Sequence, residues 1–147
     1  MDMNRIKDSL HLLIFKTFRA QRNKIRPKLS VIGLSVGQPK VLQYLSEHTE
    51  CMQKDLANYC DVEPATISKM LDTMEKNGLV KREDRKENRR AFRIVLTEEG
   101  ELRLAAWEEI CRSVDAVSLN GFTPEEERQF KDYLCRMYEN LTGKVLE

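Results

Sequence analysis

Residues 52–78, "MQKDLANYCDVEPATISKMLDTMEKNG", carry two apolar stripes of helical period separated by a turn of two or three residues, "DVE". Such a turn leaves two short helices packed against each other and few other solutions. In the first helix, Met52 to Cys60, the buried face falls on Leu56, Ala57 and Cys60. The second begins at Pro64, where a missing N–H costs nothing, and stops at Gly78 just after Asn77. At about 100° per residue, Ile67, Met70, Leu71 and Met74 share one face of it. Ala65, Lys69, Asp72, Thr73 and Lys76 lie opposite, flanked by Thr66 and Ser68. The outward face is therefore small, hydroxylic and basic towards its N-terminal half.

The segment after this helix pair is equally constrained. Lys81 to Thr97, "KREDRKENRRAFRIVLT", holds ten charged residues between apolar "LV" and "IVLT", seven of them basic. "LVKRE" reads as a strand, "DRKEN" as a polar turn and "RRAFRIVLT" as the return strand. By itself the charge run fits either a solvated hairpin tip or a surface built for a polyanion. Thr97 is placed to cap a further helix whose first turn, Glu98 and Glu99, suits the helix dipole. Its apolar stripe is Leu102, Ala106, Ile110, Val114 and Val117, with Trp107 beside it. "NGF" breaks that helix, and "TPEE" starts the last one: Thr123 as cap, Pro124 first, Glu126 closing a capping box. Phe130, Tyr133, Leu134, Met137 and Leu141 form its inner face.

Upstream, Ile6, Leu10, Leu13, Ile14 and Phe18 recur at helical spacing, with Leu12 and Phe15 as a second apolar flank. That stripe is wide for a surface helix and implies more than one neighbour. A basic run succeeds it, Lys16, Arg19, Arg22, Lys24, Arg26 and Lys28, and Pro27 closes it. "LSVGQPKVLQYLSEH" reads as another helix with Val41, Leu42 and Leu45 inward, capped either by Ser35 or by Gln38 with Pro39 as its first helical residue.

The 147 residues suffice for one domain with a real core. The formal net charge of +1 hides a segregated pattern: +7 over residues 1–40, −4 over 41–80, +4 over 81–97 and −6 over 98–147. Such a field governs partner choice more than the total does. No apolar run approaches the ~20 residues of a membrane span, and the N-terminus lacks signal-peptide features. The four cysteines, Cys51, Cys60, Cys111 and Cys135, show no CxxC spacing, and with His11 and His48 they make no zinc pattern. A reduced, cytoplasmic protein without cofactor or metal is expected. No phosphate-binding glycine loop or nucleophile–base pairing is present, which argues against an enzyme.

Two short helices, a tight turn and a basic hairpin describe a winged helix-turn-helix within a mainly α chain with a small β wing. A helix fits the major groove of duplex DNA, and small or hydroxylic residues near its start allow close approach to base edges. A basic hairpin lies along the backbone and sends arginine into the minor groove, where the potential is most negative. The chain also resembles the MarR (multiple antibiotic resistance regulator) family over nearly its whole length. The strongest matches are "DLA", "TISKMLDTMEKNGLV" and "IVLTEEG". In the wing, Asn88, Arg89 and Arg90 occupy the places of the family's usual Asp-Arg-Arg or Asp-x-Arg, so Arg90 matches its minor-groove arginine. Asn88 replaces the usual acid, and Glu63 stands where the family favours a serine cap.

The resemblance implies a single MarR-like domain over 1–147, with a DNA-binding lobe at 35–97 and dimerisation helices at 1–30 and 98–147. It implies a homodimeric regulator, a repressor released by a small aromatic or anionic effector, on a pseudo-palindromic double-stranded DNA operator. The residues expected at DNA are Gln53, Pro64, Ala65, Thr66, Ser68, Lys69, Thr73, Arg85, Lys86, Arg89 and Arg90. Two alternatives compete: a winged helix that binds only protein, which should show apolar residues on these faces, and a redox-sensing regulator using a cysteine of low pKa.

Overall fold

The computed structural model describes Arg5, Lys7 to Arg85 and Asn88 to Leu146; the side chains of residues 84–91 lie outside that description. The elements are α1 (Leu10–Val31), α2 (Gln38–Glu47), α3 (Gln53–Tyr59), α4 (Pro64–Lys76), β1 (Val80–Arg85), β2 (Asn88–Leu96), α5 (Glu98–Ser118) and α6 (Pro124–Thr142). They group into two compact units, Met1–Arg112 and Ser113–Glu147, with α5 running across the boundary. The chain is mainly helical with one two-stranded antiparallel sheet, the expected winged helix-turn-helix architecture.

The core of the first unit is formed by Leu29 and Leu34 at the end of α1, Val41, Leu42 and Leu45 of α2, and Leu56 and Ala57 of α3. Ile67, Leu71 and Met74 of α4, Leu79, Val80 and Ile94 of the sheet, Cys51 and Leu104 complete it. The helix faces read from periodicity in α2, α3 and α4 are those buried, with Met70 and Cys60 packed at the edge. Burial at roughly 1.5–3 kcal/mol per large apolar side chain is what holds helices this short.

Three helices end by one device. After α1, α3 and α4 the next residue but one adopts positive φ: Gly33 at 73°, Asp61 at 54° and Gly78 at 76°. The residue beyond it then donates its N–H back into the last turn: Leu34 to Leu29, Val62 to Ala57 and Leu79 to Met74. Each helix thereby satisfies orphan carbonyls while turning the chain sharply, and Leu34 and Leu79 drop into the core. The turn between α3 and α4 is this motif, with an aspartate where glycine is usual.

Several sequence expectations are revised. α2 is capped by neither Ser35 nor Gln38: Gly37 is the cap residue, Gln38 is the first helical residue and Pro39 the second. Gln38 instead reaches back, its Oε1 accepting from the Ser35 N–H at 2.9 Å. α1 continues through Pro27 to Val31. The turn expected over "DRKEN" is shorter, since Asp84, Arg85 and Asn88 belong to strands; the register shifts between Asp84 and Arg85, and Arg85 pairs with Asn88. In α5 the buried residues are Leu104 and Val114, whereas Leu102 and Val117 are exposed. Leu104, Trp107, Cys111 and Val114 thus mark its inward face, rotated from the predicted stripe but sharing Val114 with it, while Ala106 and Ile110 of that stripe are half-buried. Thr97 and Thr123 cap α5 and α6 as expected, accepting from the N–H groups of Gly100 at 3.0 Å and Glu126 at 3.1 Å. No residue of α6 is buried: Phe130, Tyr133, Leu134 and Leu141 all stand exposed in the single chain.

Gly100 has no alternative. A Cβ there would collide with the Leu79 carbonyl and the Leu96 side chain, because α5 starts directly over the sheet's entry. Thr97 makes the same junction, donating its hydroxyl to the Gly78 carbonyl at 2.6 Å and its N–H to that of Leu79 at 3.1 Å. The hairpin base is thereby fastened to the end of α4.

Candidate nucleic-acid interface

α4 presents its face as its sequence dictates. With Ile67, Leu71 and Met74 wholly buried, the opposite arc of Pro64, Ala65, Thr66, Lys69, Asp72, Thr73 and Lys76 is exposed, and Ser68 sits half-buried at its edge. Gln53 opens α3 beside the start of α4, its amide donating to the Pro64 carbonyl at 3.5 Å. Thr73 turns its hydroxyl back to the Lys69 carbonyl at 3.3 Å. Glu63 is the cap residue of α4 but makes no side-chain cap hydrogen bond. Gln53, Pro64, Ala65, Thr66, Ser68, Lys69 and Thr73 therefore belong to one helix pair in a single compact unit. In the wing, Arg85, Arg89 and Arg90 lie in strands by backbone, but their side chains, and Lys86 entirely, fall outside the described residues.

Two arginines of the basic run have structural roles that the sequence did not disclose. Arg82, about one-fifth exposed, donates to Asp72 at 2.7 Å and to the Ser68 carbonyl at 3.3 Å. Its backbone N–H adds a bond to Glu75 at 3.0 Å. The wing's first strand is thus locked along α4, and the one carboxylate on the outward arc of α4, Asp72, is charge-matched. Arg93 bridges Glu83 across the hairpin and Glu50, 3.2 Å away, in the loop before α3. Its hydrogen bond to Glu83, then that to Glu50, raises the guanidinium's pKa above its usual value. β2 is also held to this loop by the Ile94 N–H donating to the Cys51 carbonyl at 3.0 Å. Partners between 7 and 43 positions apart make these contacts, so no local period could have flagged them.

Cys51 and Cys60 lack the character of oxidant sensors. Burial, helped by Asp55 and Cys60, pushes the Cys51 thiol up to about 12, and burial also raises Cys60. Both are protonated at neutral pH, the unreactive form. Beside them Tyr44 stacks on His48 with ring centroids 3.9 Å apart and meets Tyr59 at 4.7 Å. Among the described residues no group of His, Cys, Asp and Glu is arranged to hold a metal, and no helix is long and apolar enough to cross a membrane.

This geometry has relatives. The MarR family model matches residues 34–92, from the loop before α2 into the second strand of the wing. The crystal structure of the transcriptional regulator PA3341 is 34% identical, with 92% of this chain and all of that one covered and a TM-score of 0.78. The chain belongs to the MarR family of transcriptional regulators. Among curated MarR-type relatives, the organic hydroperoxide resistance transcriptional regulator of Bacillus subtilis is 26% identical over 143 residues, covering 97% of this chain and 96% of its own. The Staphylococcus aureus MepR–DNA complex shares the fold at a TM-score of 0.81 and 23% identity, over 90% of this chain and 98% of that one. Within the MarR fold, α3 and α4 are the helix-turn-helix and β1–β2 the wing.

Proposed function

We propose that this MarR-family regulator acts as a homodimeric, sequence-specific DNA-binding repressor, released by a small aromatic or anionic effector and working in the cytoplasm. The observation that carries the reading is the outward arc of α4: exposed, small and hydroxylic at its start, cationic at Lys69 and Lys76, and flanked by a basic wing fixed to it through Arg82. A winged helix that bound only protein would need apolar residues here. Pro64, Ala65, Thr66, Ser68, Lys69 and Thr73 would face the major groove, and Gln53, Arg85, Lys86, Arg89 and Arg90 the backbone and minor groove. MepR was crystallised with DNA on the same fold, which supports DNA binding by this one.

Dimerisation is supported by apolar residues that the single chain leaves in solvent: Leu10, Leu13, Ile14, Phe15 and Phe18 on α1, and Phe130, Tyr133, Leu134 and Leu141 on α6. The lobe at 35–97 would then read DNA, and the helices of 1–30 and 98–147 would supply the shared base. The test is a titration of duplex DNA from upstream of the protein's own gene against a scrambled duplex, at several salt concentrations. Tighter binding of the upstream DNA with a steep salt dependence is expected. Equal, salt-independent affinity for both would refute the reading.

A further inference from the structure

Helix α1 divides into two chemically distinct halves. The first, to Phe18, carries the exposed apolar residues; the second carries Arg19, Arg22, Lys24, Arg26 and Lys28. From Leu10 to Val31 there is no acidic residue at all. Arg19, Arg22 and Arg26 are all exposed and fall within an arc of about 60°. Among the described residues no carboxylate pairs with any of the three, and Arg19 is held instead over the Phe15 ring at 5.7 Å. Other helices neutralise such charges locally, as in Arg103–Glu99, Arg112–Glu109, Arg128–Glu125 and Lys131–Glu127. Like charges three and four residues apart repel and weaken a helix, so a stripe left without internal partners is suited to an external anion.

The stripe is also anchored to the lobe that carries α4. Leu29 is buried in that lobe's core and Ile25 packs against it. Arg103 of α5 donates to the Ile32 carbonyl at the end of α1, clamping it where the chain enters α2. The basic half of α1 therefore belongs to the same compact unit as the helix-turn-helix and wing.

We propose that Arg19, Arg22 and Arg26 form a second DNA-backbone contact, binding phosphates of the duplex that α4 and the wing read. This rests on the proposed DNA-binding function and extends its footprint. A duplex backbone is favoured because its regularly spaced charges match a row of guanidiniums, which take phosphate oxygens in bidentate fashion.

The test compares the full-length parent, R19Q/R22Q/R26Q and R19K/R22K/R26K on the preferred duplex and on a scrambled one, across a salt series, with oligomeric state followed by sedimentation. The glutamine variant should bind both duplexes about 10- to 100-fold more weakly near physiological salt, with the salt slope shallower by about two to three units. Its ratio of preferred to scrambled affinity and its oligomeric state should match the parent's. The lysine variant, which keeps the charge, should retain most of the slope. Unchanged DNA affinity and slope in a folded glutamine variant overturn the inference. Loss of the dimer in that variant also overturns it, assigning the stripe to the acidic surface of a second copy. A parent that binds no duplex sinks the underlying function as well, so the two failures are distinguishable.

Discussion

The Arg82 clamp gives a quantitative test of how the wing is held to α4. Arg82→Ala removes an ion pair to Asp72, a hydrogen bond to the Ser68 carbonyl, and the packing of a side chain only about one-fifth exposed. Asp72 is about two-thirds exposed, so the pair itself is screened and contributes about 1 kcal/mol at most. The carbonyl hydrogen bond and the aliphatic stem add roughly another 1 kcal/mol, while the backbone bond to Glu75 survives. The expected loss is about 2 kcal/mol of folding stability, or roughly 4–8 °C in Tm for a chain this size. A thermodynamic cycle of Arg82→Ala, Asp72→Asn and the double variant, by urea unfolding, should return a coupling of about 1 kcal/mol. DNA binding supplies a second readout. In Arg82→Ala the Asp72 carboxylate is left bare on the outward arc of α4, so duplex affinity should fall, and adding Asp72→Asn should recover part of it. A coupling within about 0.3 kcal/mol of zero, together with no recovery of affinity, would refute the clamp.

Three other contacts make checkable demands. Gly100→Ala should destabilise the protein by about 1–3 kcal/mol, against the ~1 kcal/mol that helix propensity alone would gain, because its Cβ meets the Leu79 carbonyl; a more stable variant in thermal unfolding would refute that close approach. The raised thiol of Cys51 makes the folded state hold a proton that the unfolded chain releases near its ordinary pKa, so this contribution is complete below about pH 8.5 and declines by about 1.4 kcal/mol per unit towards pH 12. Tyr44, Tyr59 and Cys60 are raised as well and act in the same direction, so in urea unfolding at pH 9–11 Cys51→Ala should show a shallower decline than the parent, and identical slopes would contradict a buried thiol. Finally, Lys69→Ala should weaken duplex binding by about 1–3 kcal/mol and either relax sequence preference or shallow the salt slope by about one unit; parental affinity and preference would remove Lys69 from the interface.

Local pattern was enough to determine the helix pair, its turn, the hairpin and the terminal caps. Ile67, Leu71 and Met74 recur at the helical period, Pro64 and Gly78 bracket α4, and Thr123 with Glu126 writes a capping box within four residues. Each signal is carried by neighbours in sequence, where the backbone's own geometry fixes who meets whom. The candidate DNA-facing arc of α4 was legible for the same reason, as the complement of a buried stripe. What only the tertiary structure decided is which charges stay inside the molecule. Lys81 to Thr97 reads as one predominantly basic run, yet Arg82 and Arg93 are engaged by Asp72, Glu83 and Glu50 through contacts set by how the sheet docks on the helices. The inward face of α5 was legible only in part, at Val114 and Trp107, for a related reason. Its sequence offers apolar residues on more than one side, and only packing against the lobe selects Leu104 and Trp107 while leaving Leu102 in solvent. Periodicity finds an apolar stripe but carries no information about which of two competing partners covers it.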